Sequence, residues 1–117
     1  MADLDAPTFD ASVLGEMFNH EPLVIAAVLR TFEASTQASL AEIERAMQAG
    51  DLPAVALLAH KVKGASRMSG ALSLGRCAEH LEQAAATGEQ PLADAAAQRL
   101  LHHWPAVQQA VGALSHG

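Results

Sequence analysis

Residues 59–71 read AHKVKGASRMSGA, a stretch whose residue types repeat with helical spacing. Side chains three and four residues apart are neighbours on a helix, so His60 lies beside Lys63 and Gly64. Arg67 follows two turns along on the same side. At about 100° per residue, the small and apolar side chains gather on the opposite side, which is typical of a face turned to a core. These are Val55, Leu58, Ala59, Val62, Ser66 and Ser69. The stretch therefore predicts a helix that presents His60 to solvent.

Gly64 is unusual inside this predicted helix, because a glycine there costs on the order of 1 kcal/mol relative to alanine. Bare backbone beside an exposed histidine indicates that another molecule approaches closely at this point. Leu57 lies one turn before His60 on the exposed side, where an apolar side chain predicts a docking contact.

The stretch resembles the phosphoacceptor motif of histidine phosphotransfer (HPt) domains, the shuttles of phosphorelays. The matching residues are Ala59, His60, Val62, Lys63, Gly64, Ala65, Ser66, Gly70 and Ala71. The resemblance implies that His60 accepts a phosphoryl group, that Lys63 neutralises its charge and that Gly64 leaves room for the partner's phosphate-bearing loop. It also implies that the partners are response-regulator receiver domains and a hybrid sensor histidine kinase. No cofactor is then expected here, since the Mg²⁺ would be bound by the receiver domain.

In several of these domains a carboxylate or amide about 22 residues after the histidine holds the second ring nitrogen, which fixes the tautomer. That position is Glu82 here, followed by Gln83. Glu82 is preferred, because it falls at the edge of the apolar stripe of its helix and Gln83 falls nearly opposite. A plain surface carboxylate at Glu82 stays open as an alternative, as do ordinary solvent-facing cations at Lys63 and Arg67. Arg67 has no fixed role in the motif and is grouped with Leu57 and Gly64 in a predicted docking surface.

Five helices are predicted along the chain, over about 10–18, 22–49, 51–69, 71–87 and from 91 onward, with glycines at the last three breaks. Met17 and Leu92 are expected to face inward, and Pro105 is expected to kink or restart the last helix. Short connections favour an antiparallel four-helix bundle, up-down-up-down, with a short extra N-terminal helix across one end. Residues 1–117 are expected to form one domain, with residues 1–8 frayed.

The composition excludes several classes of protein. A net charge of -6 argues against general nucleic-acid binding, which needs a basic stripe. The single cysteine excludes an internal disulfide and suits a reducing compartment. No apolar run reaches the ~18 residues of a membrane span and no signal peptide is recognisable, so a cytoplasmic monomer is expected. The six histidines include no His-x-x-x-His or Glu-x-x-His pair, so no metal site is expected.

Three functions are compatible with these observations. The favoured function is a phosphorelay intermediate in which His60 receives a phosphoryl group from a receiver-domain aspartate and passes it to another. The chain has no glycine-rich nucleotide loop, so it is not expected to phosphorylate itself or to act as an enzyme. The second is a helical-bundle adaptor that binds a receiver domain without transfer. The third is a metal or cofactor bundle that uses the histidines.

Overall fold

The computed structural model describes residues 8–116, which form helices and connections without a strand. Five helices follow one another in this range: α1 (Ala11–Met17), α2 (Pro22–Gln48), α3 (Leu52–Ser69), α4 (Leu72–Ala86) and α5 (Gln90–His116). The predicted bounds agree with these to within one residue, and the all-α fold class is confirmed. The predicted fraying of residues 1–8 falls mainly on residues 1–7, which lie outside the described part of the chain.

The four long helices form a helical bundle around one core. Helix α2 packs against α3 and α5, and α4 packs against the same two helices, while α1 lies on α3. The 27-residue helices α2 and α5 are each about 40 Å long at 1.5 Å per residue, close to the longest dimension of the molecule, 43 Å. The fully buried side chains come from every helix and include Leu14, Leu29, Ile43, Val55, Val62, Leu74, Leu81, Leu100 and Val107.

Two expectations about individual residues are wrong, and of the kink or restart expected at Pro105 only the restart is ruled out. Helix α5 runs through Pro105 without a restart, because Trp104 and Val107 on either side of it are buried in the core and hold the segment in place. Leu92 is 51% exposed, since the inward stripe of α5 begins at Ala93. Met17 is 50% exposed, because the seven-residue α1 turns only Leu14 and Gly15 fully inward.

The start and end of α3 are defined by local hydrogen bonds. The Asp51 side chain accepts the backbone N–H of Ala54 at 3.2 Å and caps the N-terminus. At the C-terminus Gly70 has φ +92°, a left-handed conformation that suits glycine. Its carbonyl accepts the backbone N–H of Asp10 at 2.7 Å, which joins the start of α1 to the corner between α3 and α4.

Gly75 marks a close approach of α3 and α4. A Cβ built on Gly75 would lie 3.4 Å from Cγ of Arg67 and 3.7 Å from the carbonyl oxygen of Lys63. Because Gly75 has no side chain, the backbone of α4 lies directly against α3 at this level. Side chains further along α4 are thereby brought within reach of the exposed face of α3.

Candidate functional site

His60 lies near the middle of α3 with its ring turned outward. The side chain is 66% exposed, whereas its neighbours Ala59 and Val62 are buried in the core. The helical period explains this difference, because the buried stripe and the histidine lie on opposite sides of the same helix.

Glu82 of α4 reaches across to α3 and contacts two of the predicted site residues. Its Oε2 lies 3.0 Å from Nδ1 of His60, and its Oε1 lies 2.8 Å from Nζ of Lys63. Gln83, the alternative at the next position, is exposed. One carboxylate therefore joins the histidine and the lysine.

The pKa of the Glu82 carboxyl lies below its ordinary value. The hydrogen bond from Lys63 is the main cause, the contact with His60 lowers the pKa further, and partial burial opposes both. Glu82 is therefore ionised at neutral pH and accepts a hydrogen bond from Nδ1–H of His60. The stabilisation from a lowered carboxyl pKa is present at neutral pH and is lost as the pH falls through that pKa.

A second ion pair lies one turn along the same groove. Nη2 of Arg67 donates to Oε2 of Glu79 at 2.8 Å. Sequence reasoning did not identify Glu79. The sequence did contain a signal. Glu79 and Glu82 are three residues apart on α4, and Lys63 and Arg67 are four residues apart on α3, so each pair of charges lies on one face of its helix. Both pairs are partly exposed, so the geometry they impose on the site is of more consequence than their contribution to stability.

The exposed face of α3 around His60 carries apolar surface. Leu57 is 75% exposed and Met68 is 61% exposed. Between them, a Cβ added to Gly64 would meet no atom within 4 Å, so the packing of this chain does not require a glycine there. Met68 was missed, although it lies two turns after His60 and one turn after Gly64.

Met68 also borders an apolar groove between α1, α2 and α3. The groove has a volume of about 410 Å³ and is lined by side chains that include Met17, Phe18, Val28 and Phe32. The exposed apolar surface near His60 therefore continues from α3 onto the two neighbouring helices.

The remaining described histidines lie outside α3, and His103 of α5 contacts the hydroxyl of Ser73 on α4. Among the side chains that the structure describes, those of residues 8–114, no three from His, Cys, Asp or Glu are grouped closely enough to hold a metal ion. Across the same range, every helix is too short or too polar to cross a membrane.

The chain is similar to known proteins in sequence and in fold. The family model described as the Hpt domain matches residues 27–116, a range that contains all three members of the His60, Lys63 and Glu82 cluster. The crystal structure of histidine-containing phosphotransfer protein B (HptB) from Pseudomonas aeruginosa PAO1 is similar, with a TM-score of 0.83 and 29% sequence identity. The similarity covers 96% of this chain and 97% of that one. No curated protein sequence matches the chain.

Proposed function

Because the chain belongs to the Hpt domain family, we propose that it is a phosphorelay intermediate whose phosphoacceptor is His60. In this proposal His60 takes a phosphoryl group from the aspartate of one receiver domain and passes it to the aspartate of another. The observation that carries the proposal is the exposed His60 ring with Nδ1 held 3.0 Å from the Glu82 carboxylate. The printed name of the similar Pseudomonas protein, a histidine-containing phosphotransfer protein, supports it.

The contact with Glu82 determines which ring nitrogen reacts. A proton on Nδ1 is donated to Oε2 of Glu82, so the lone pair of the neutral imidazole is on Nε2. Nε2 attacks the phosphorus of the receiver's aspartyl phosphate. The N–P bond forms, the P–O bond breaks, and the aspartate leaves as a carboxylate.

After the attack the ring carries a positive charge, which the ionised Glu82 stabilises across the Nδ1–H hydrogen bond. The resulting N–P bond is labile, so the same step in reverse delivers the group to the next receiver domain. Phosphoryl transfer asks a protein mainly for positioning and charge stabilisation, and this arrangement supplies both.

We propose that the receiver domain docks on the exposed face of α3. Leu57 and Met68 offer apolar contacts on either side of His60, and Gly64 leaves room for a loop of the partner. Arg67, which is 51% exposed in its pair with Glu79, lies at the edge of this surface. That Lys63 neutralises the phosphoryl group stays a prediction.

The remaining parts of the proposal concern the whole chain. We infer that α2 to α5 run up-down-up-down, because only residues 49–51, 70–71 and 87–89 connect them. Mg²⁺ belongs to the receiver domain in this account, a hybrid sensor kinase supplies the phosphoryl group, and this chain adds no kinase activity of its own. The monomeric state and the cytoplasmic location stay predictions.

Incubation with a panel of phosphorylated receiver domains tests the proposal. We expect acid-labile phosphoryl label on the wild-type chain and none on His60→Gln, which should remain folded because the side chain is exposed. His102→Gln, also at an exposed position but on α5, is the matched control and should be labelled like the wild type. Label retained on His60→Gln would show that another residue is the acceptor. Complex formation without label on the wild type would favour the adaptor function.

A further inference from the structure

We infer that the cavity between α4 and α5 is a binding site for a small phosphate-bearing molecule. The cavity is separate from His60 and from the proposed docking face, so the inference goes beyond the phosphorelay function. It is carried by three basic side chains of α5 that line the same cavity, Arg99, His102 and His103.

The cavity is large enough for a molecule that has a body as well as a phosphate group. Its volume is about 530 Å³, within the range of ~300–1,000 Å³ that is usual for ligand sites. Besides the basic side chains it is lined by Gln98 and by three small side chains, Ser73, Cys77 and Ala106. The small side chains leave room for the body of a ligand, and the Gln98 amide adds a neutral donor.

The charge of this cavity is opposite in sign to that of the chain. The sequence carries 13 acidic residues against 7 lysines and arginines, yet none of the described residues that line the cavity is acidic. Neighbouring acids on the same two helices have other contacts: Glu79 pairs with Arg67 of α3, and Asp94 accepts from Gln90. A negatively charged ligand would therefore meet donors at the walls and no like charge.

Part of the cavity wall is held in place without a ligand. The hydroxyl of Ser73, a residue that is 3% exposed, contacts Nε2 of His103. This contact joins α4 to α5 and holds the imidazole at the edge of the cavity. Binding would therefore cost little rotamer freedom at this side chain.

The donors suit a phosphate better than a carboxylate. The planar guanidinium of Arg99 presents a fork of N–H groups that matches two oxygens of a phosphate. The imidazoles of His102 and His103 and the amide of Gln98 add donors from other directions, as a tetrahedral anion with several acceptor oxygens requires. A carboxylate has two oxygens in one plane and would use fewer of these donors.

The cavity and the phosphoacceptor lie on different sides of α4. At about 100° per residue, Glu82 is roughly 140° from Cys77 and roughly 180° from Ser73 around the helix axis. Glu82 contacts His60 of α3, whereas Cys77 and Ser73 line the cavity. A molecule bound in the cavity would therefore leave His60 accessible to a receiver domain.

A residue-resolved NMR titration of the whole chain tests the inference. ¹H–¹⁵N spectra are recorded with phenyl phosphate, inorganic phosphate and benzoate, and potassium chloride at matched ionic strength is the blank. The variants are Arg99→Gln and His102→Gln, both at exposed positions of the cavity wall. Arg30→Gln is the matched control, because Arg30 is equally an exposed arginine but lies on α2 and does not line the cavity.

We expect saturable shifts confined to residues 73–77 and 98–106. Phenyl phosphate should bind more tightly than inorganic phosphate, because its ring contacts the small side chains of the wall. Arg99→Gln should weaken the binding of phenyl phosphate about ten-fold, the scale of one charge-assisted hydrogen bond, and His102→Gln about three-fold. Arg30→Gln should bind phenyl phosphate like the wild type.

Shifts centred on residues 60–67 would place the anion on the exposed face of α3 and overturn the inference. Shifts that potassium chloride reproduces, or an affinity retained in both Arg99→Gln and His102→Gln, would overturn it as well. Benzoate bound as tightly as phenyl phosphate would contradict the assignment to phosphate. The titration uses the unphosphorylated chain without a partner, so its outcome does not depend on whether His60 accepts a phosphoryl group.

Discussion

At His60 the two ring nitrogens have different surroundings, and this difference underlies the proposed chemistry. Nδ1 lies 3.0 Å from Glu82, whereas Nε2 has no hydrogen-bond partner among the described residues. A neutral imidazole in such a setting is a nucleophile at one defined atom. The exposed position of His60 follows from helical spacing and was predictable from the sequence. That Lys63 shares the carboxylate was not, because it depends on how α4 lies against α3.

Substitution of Gly64 should have opposite effects on the stability of the fold and on the rate of phosphoryl transfer. Gly64→Ala adds a Cβ that meets nothing within 4 Å and should raise the free energy of unfolding by up to about 1 kcal/mol through helix propensity. The same Cβ lies on the face proposed for docking of the receiver domain, so acceptance should slow, and Gly64→Leu should slow it more.

Gly112→Ala is the matched control, since Gly112 lies in α5 and a Cβ there also meets no atom within 4 Å. It should stabilise the chain in urea unfolding without changing the rate of acceptance. Acceptance by Gly64→Leu at the wild-type rate would refute the access argument.

At the scale of the helices, most bounds were predictable because caps and glycines are local signals. Asp51 and Gly70 delimit α3 through contacts within a few residues. The errors have a different origin. Pro105 breaks a local rule, yet α5 continues, because the buried Trp104 makes an edge-to-face contact with Phe32 of α2 at 6.0 Å and donates from Nε1 to Gln37 at 2.9 Å. Such tertiary contacts outweigh one missing backbone hydrogen bond, and no sequence pattern shows them.

The attachment of α1 to the α3–α4 corner gives a prediction at this scale. Gly70 and Gly88 both have positive φ, +92° and +77°, so alanine should cost about 1 kcal/mol at either position. At Gly88 a Cβ meets nothing within 4 Å, but at Gly70 it would clash with the backbone oxygen of Asp10. Gly70→Ala should therefore lower the free energy of unfolding by about 2 kcal/mol more than Gly88→Ala. Equal losses in urea unfolding would show that the contact with Asp10 does not restrain α1.

In the molecule as a whole, the core and the site use opposite sides of the same helix. The buried stripe of α3 packs against α2 and α4, and the exposed side carries His60, Gly64 and Met68. The helical class and the buried stripes were predictable from the apolar periodicity of each helix. The apolar groove beside Met68 was not predictable from the sequence, because side chains of three separate helices form it. Since the fold does not depend on the exposed ring, changes at His60 report on chemistry and not on folding.

The position of the phosphoryl group on the phosphorylated chain tests the central claim most directly. Combined ³¹P and ¹⁵N NMR after transfer from a receiver domain distinguishes the two ring nitrogens and identifies the histidine. We expect one phosphohistidine, at His60, with the phosphoryl group on Nε2 and the proton retained on Nδ1 beside Glu82. A phosphoryl group on Nδ1 of His60, or on any other histidine, would contradict it.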